Sequence, residues 1–224
     1  MLVFNCTKAA AEHFSVVING KKSSGLESAP HRTIEESVLF PVFPDDVDPR
    51  INDGFQWQWV VDCISIKKNK YMLVMDYASR YCVIFPAEAK GNEMGFLDAF
   101  ENQLKANFRY WAEKHQMTIE QGSDYIQGYD MQCQISWFHQ RGDRSVQAHL
   151  KEVKWHLGSV CAKEGAITKP LDCVYFSATA SGIPRTCKGE KNYFFAHERF
   201  FSFWLANFNL DVIFESCDGE IVVH

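Results

Sequence analysis

Three apolar runs joined by very short links constrain this chain more than any other feature. Trp57 to Ile66 is followed by Lys67-Lys68-Asn69-Lys70, then Tyr71 to Asp76, then Tyr77–Ser79, then Arg80 to Phe85, with Pro86 closing the series. A parallel crossover needs about a dozen residues or more, so links this short can only turn the strand back on itself. Trp57, Trp59 and Val61 share one face of the first run. The expected nucleus is therefore an antiparallel β-meander.

Around it the chain alternates between helix and strand patterns. Leu2 to Asn5 reads as a short strand, and Thr7 is placed to cap a short helix through Ala9–His13. Residues from about 19 to 53 are rich in Gly, Ser, Pro and Asp and read as one long irregular connection, with a turn of helix at Thr33–Val38. Leu97, Phe100, Leu104, Phe108 and Trp111 give a helix over about Glu93–His115 its buried stripe. Gly122 and Gly128 read as breakers in a mixed stretch. Met131, Cys133, Ile135 and Trp137 then alternate with polar residues as a strand would, and Val146, Leu150, Val153, Leu157 and Val160 follow at helical spacing. Cys173–Phe176 reads as a strand, Ser177–Lys191 as loop, and Tyr193–Phe208 as an aromatic helix. Val212–Phe214 and Ile221–Val223 are short apolar runs in the tail. The expected fold class is α+β: one domain over residues 1–224, an antiparallel meander sheet with packed helices.

Composition narrows the function classes. Of 224 residues, 46% are hydrophobic and 14% aromatic, enough for a large core, and the net charge of −5 gives no general attraction to nucleic acid. The eight cysteines form no C-x-x-C pair, which argues against a structural zinc site. No signal-peptide pattern opens the chain and no apolar stretch is long enough to span a bilayer, so a cytoplasmic protein without a membrane role is expected. Glycine-rich phosphate loops, dinucleotide fingerprints, kinase motifs and the G-x-S-x-G elbow are missing, and no cofactor is expected.

Four local patterns could carry chemistry. The first is Gln140-Arg141-Gly142-Asp143-Arg144-Ser145-Val146, a basic turn between a strand and a helix N-terminus. Arg141, Arg144 and Ser145 could hold a phosphate or carboxylate there; alternatively Asp143 or Ser145 simply caps the helix. The second is a polar stripe on that helix: Ser145, His149, Glu152, His156 and Ser159. His149, Glu152 and His156 could exchange protons or bind a metal, or could be ordinary satisfied polar groups; their spacing is not H-E-x-x-H. Trp155 falls off the apolar stripe. Third, Cys6-Thr7-Lys8 places a thiol ahead of a helix N-terminus, a setting for either a reactive or a buried structural cysteine. Fourth, Lys188-Gly189-Glu190-Lys191 could lend cations to an anion site or form a solvated loop.

Taken together, Asn5-Cys6-Thr7-Lys8, the Trp57–Phe85 meander and Asp143-Arg144-Ser145-Val146 resemble an uncharacterised bacterial family described only as a domain of unknown function. The resemblance spans most of the chain and is least clear beyond Cys161. It implies no activity, cofactor or catalytic residue. What it implies is an accessory protein of the kind carried by mobile genes such as integron cassettes. Three functions are thus expected to compete: binding of a small anion or an anionic partner group at Arg141, Arg144 and Ser145; a hydrolase or nuclease using His149, Glu152 and His156; and an interaction module whose aromatic helix and Trp155 form a homodimer or partner surface.

Overall fold

The computed structural model describes residues 1–44, 55–187, 189 and 191–210. In chain order the elements are β1 (Leu2–Cys6), α1 (Lys8–Phe14), β2 (Val16–Ile18), β3 (Lys21–Ser23), α2 (Ile34–Leu39), β4 (Trp57–Ile66), β5 (Asn69–Asp76), β6 (Cys82–Pro86), α3 (Glu93–Lys114), α4 (Ile119–Gln132), β7 (Ser136–Gln140), α5 (Arg144–Glu164), α6 (Pro170–Ser181), β8 (Pro184–Arg185), β9 (Phe194–Phe195) and α7 (Ala196–Asn207). The two tail runs, with Lys188 and Glu190, lie outside the described residues.

The meander is present as β4-β5-β6, with Val61 opposite Val74 and Leu73 opposite Ile84. Two further strands make the sheet mixed. β1 lies between β4 and β7 and runs parallel to both, giving the order β6-β5-β4-β1-β7. The fold class is α+β.

Both faces of this sheet are covered. Alternate residues of each strand therefore enter different cores, which is why β4 and β5 are apolar almost throughout. One face carries Phe4, Trp57, Trp59, Val61 and Val74 against α1, α3, α4 and α7, in a core of stacked and edge-on rings such as Phe108 on Trp204 at 4.2 Å. The opposite face carries Val60, Ile64, Leu73 and Ile84 against α2, α5 and α6, through Ile34, Leu150, Leu157, Cys173 and Phe176. Phe200, Phe201 and Trp204 of α7 are buried, so the aromatic helix is core; Trp155 on α5 stays 68% exposed.

Three local expectations are corrected. The stretch containing Gly122 and Gly128 is helix α4, closed at its start by a Thr118/Gln121 capping box; both glycines are buried, and Gly122 faces Ala112 of α3. The alternation beginning at Met131 is not all strand, because α4 runs to Gln132 and β7 begins only at Ser136. Cys173–Phe176 lies in α6, where Pro170 fixes the first turn. Burial on several sides gives α6 its strand-like apolar run.

Candidate functional site

The basic turn after β7 is built to hold itself together. Asp143 caps α5: its Oδ1 accepts from the backbone N–H groups of Ser145 and Val146 and from the Ser145 hydroxyl, at 2.8–3.0 Å. The helix N-terminus thus already has a carboxylate on it.

Arg141 turns inward. Its Nε and Nη2 both donate to Asn5 Oδ1, at 2.8 and 2.6 Å, and its Nη1 donates to the carbonyls of His31 and Thr33 and to Ser37 Oγ, at 2.8–3.0 Å. Asn5 in turn donates to Gln58 Oε1 and the Trp59 carbonyl. Arg141 is therefore a crossbar between the end of β1 and the start of α2, and Arg144 is exposed at the first position of α5. These two guanidinium groups do not share a site, because one satisfies buried acceptors of its own chain while the other faces solvent. The expected pairing of Arg141 and Arg144 around a ligand is corrected accordingly.

Ser145, however, does sit beside arginine. Arg80 Nη2 donates to Ser145 Oγ at 3.1 Å. Arg80 lies in the β5–β6 hairpin turn with φ of 62°, a left-handed backbone that non-glycine residues seldom adopt. Asp76 fixes that turn: its carboxylate accepts from the N–H groups of Ala78 and Ser79 and from Trp57 Nε1, and its carbonyl accepts from Arg80 N–H. The side chain so delivered is 5% exposed and packs over the Tyr77 ring at 4.8 Å. Arg80 Nε and Nη1 are buried and find no acceptor among the described residues.

A second guanidinium arrives from β8. Arg185 is 2% exposed; its Nη1 donates to Glu152 Oε2 at 3.4 Å and its Nη2 to the Ala180 carbonyl at 3.3 Å, while its buried Nε has no acceptor among the described residues. Burial, with Arg80 nearby, disfavours the charge on Arg185, and Glu152 only partly offsets this. His149 is the third member. Burial lowers its pKa first, and Arg185 and Arg80 lower it further, so the imidazole is held neutral at neutral pH; Glu152 and a hydrogen bond with the Thr186 backbone work the other way.

So α5 presents Ser145, His149 and Glu152 to two arginines from distant parts of the chain. His156, one turn further on, instead lines a groove between α5 and α6 with Val160, Ile167, Tyr175, Phe176 and Ile183, and its ring meets Trp155 edge-on. Among the described residues no three His, Cys, Asp or Glu side chains stand close enough to hold a metal ion. Cys6 is buried, and burial pushes its thiol well above the usual range, with Glu93 adding to the effect; the reactive reading of that cysteine is corrected.

Sequence reasoning missed Arg80 and Arg185 as site residues. The available signals were faint: a charged residue between Ser79 and Tyr81 in a tight hairpin, and an arginine between Pro184 and Thr186 after an apolar segment.

The molecule is thus an α+β domain with two incompletely paired, buried guanidinium groups beside the first three turns of one helix. The chain belongs to the family described as a domain of unknown function (DUF6933), which it matches over residues 3–199. No curated protein matches it. No helix among the described residues is long and apolar enough to cross a membrane.

Proposed function

We propose that this protein binds an anionic group, a phosphate or carboxylate of a small ligand or partner, on Arg80 and Arg185 with His149 beside them, and that this serves an accessory role of the kind its family resemblance implies. Ser145 orients Arg80. One observation carries the reading: three guanidinium nitrogens of Arg80 and Arg185 are buried without an acceptor among the described residues. An unpaired buried donor on a charged group costs about 1–3 kcal/mol or more, and a phosphate or carboxylate removes that cost with charge-assisted bonds. The thermal shift by sulfate, against chloride at equal ionic strength, tests it. At a sulfate concentration of about 100 times Kd the folded state gains about 2.7 kcal/mol. For a domain of this size that raises Tm by roughly 5–10 °C. Arg80→Gln is expected to remove the shift and Arg144→Ala to leave it. Equal shifts in the parent and Arg80→Gln would refute the site.

A hydrolytic role is the second reading, favoured by one feature: His149, kept neutral beside the two arginines, can accept a proton next to a bound phosphate ester. Hydrolysis of a chromogenic phosphate ester that His149→Ala abolishes, with sulfate binding intact, would support it. Activity equal to that of the variant would end it.

A further inference from the structure

The groove beside this site has a volume of about 430 Å³, within the range that holds a drug-sized or nucleotide-sized ligand. Its walls are α5, through His156 and Val160, and α6, through Tyr175, Phe176 and Thr179, with Ile167 and Ile183 joining them. It meets the arginine cluster at one residue: Ala180 lines the groove, and its carbonyl accepts from Arg185. Glu152, one turn before His156 and outside the groove's lining, accepts from the same guanidinium. His149 and His156 are seven residues apart on one face of α5, so the cluster and the groove stand about 10 Å apart along the helix.

The order of chemistry along that face is cation, then carboxylate, then aromatic and apolar wall. Glu152 uses one oxygen, Oε2, on Arg185 at 3.4 Å and is 39% exposed, leaving it able to accept from hydroxyl groups of a ligand. A purely alkyl anion would have to lay its chain across that carboxylate, a poor match. A ligand with an anionic head, hydroxyl groups in the middle and a flat ring at the far end matches every step. Tyr175 and Phe176 supply the aromatic faces, and Asp172 and Glu164 at the groove edge supply acceptors for ring amino groups.

Resting on the anion site proposed above, we infer that the ligand is a ribonucleoside monophosphate or a close analogue. Its phosphate lies on Arg80 and Arg185, its sugar hydroxyls on Glu152, and its base between α5 and α6. Calorimetric titration with sulfate, ribose 5-phosphate and adenosine monophosphate tests this on the full chain. Adenosine monophosphate is expected to bind at least tenfold more tightly than sulfate, with ribose 5-phosphate between them. Thr179→Trp fills the groove from an exposed position and should remove the nucleotide's advantage while leaving sulfate binding unchanged. Tyr175→Ala, also exposed, should weaken the nucleotide alone. Sulfate binding with no gain for the nucleotide, or a gain that both variants leave intact, would overturn the groove assignment and spare the anion site. Failure of all three ligands to bind would overturn both.

Discussion

Arg141→Ala should unfold the protein more readily without touching the proposed anion site. The magnitude follows from what the guanidinium satisfies. Asn5 Oδ1 would lose two charge-assisted bonds and the His31 carbonyl the bond from Nη1, both in or beside the core. Thr33 O loses less, because it also accepts from Ser37 N and Ser37 Oγ within the first turn of α2. Removing one partner from a buried charged network costs about 3–5 kcal/mol, and the redundancy at Thr33 places this case at about 3–4. At 2–4 °C per kcal/mol, Tm should fall by roughly 6–16 °C. Arg141→Lys should recover only part of the loss, since one ammonium cannot reproduce the planar fork. Hydrogen exchange should report the loss first in residues 27–39, which Arg141 fastens to β1. Calorimetry and urea unfolding measure the change. A Tm within 2 °C of the parent would refute the crossbar, and loss of the sulfate shift at unchanged stability would return Arg141 to the binding site.

Further outcomes follow from other named groups. His139 is buried on β7 with its pKa lowered to about 4, by desolvation first and then by Arg141. Its unfolded form takes a proton near pH 6.5, so stability should drop as pH falls from about 6.5 to 4, by up to about 3 kcal/mol, and level off below; urea unfolding of His139→Gln should show a shallower slope. Asp143→Ala removes the α5 cap at a cost of about 1 kcal/mol, and Asp143→Asn should restore most of it, as read by Tm. Burial pushes the thiols of Cys6 and Cys82 up, Cys82 to about 12, so among the cysteines of the described residues alkylation of the native protein followed by peptide mapping should label half-buried Cys63 or Cys187 first; labelling of Cys6 ahead of them would contradict this.

Local signals in the sequence were dependable where a single element carried them. The meander was legible because links of three or four residues admit one geometry, and α3 and α5 because their stripes repeat over about four turns. Thr7 and Asp143 cap their helices, as residues of those types at those places should. Legibility ended where tertiary burial overrides local preference. In α4 two buried glycines are tolerated because α4 lies against α3, and in α6 covering on more than one side erases the amphipathic period. The position of β1 between two parallel partners was beyond reach for a different reason. Which strands become neighbours is decided by contacts between residues far apart in the chain, such as Phe4 with Trp59 and Phe138, and no local pattern encodes these.

The candidate site divides along the same line. Ser145, His149 and Glu152 were legible as one face because a helix places residues at fixed angles. The charge they meet was assigned to the nearest arginines in the sequence, Arg141 and Arg144, and that step failed for a physical reason. A guanidinium at the end of β7 is drawn into the acceptors exposed by the neighbouring end of β1 and by the carbonyls at the start of α2, and Asn5, His31, Thr33 and Ser37 engage all three of its nitrogens. An arginine held by a strained hairpin, as Arg80 is at φ 62°, has its direction set by the turn rather than by the best available acceptors, so part of its fork stays unpaired. That distinction carries the functional argument. Arg141 has spent its hydrogen-bonding capacity on the fold, whereas Arg80 keeps two nitrogens and Arg185 one without an acceptor among the described residues, next to a neutral imidazole, and an anion arriving there should draw a proton onto His149. Sulfate stays dianionic across this range, so its affinity should rise as pH falls from 7.5 to 5.5 and that rise should vanish in His149→Gln. A pH-independent sulfate affinity in the parent would remove His149 from the site.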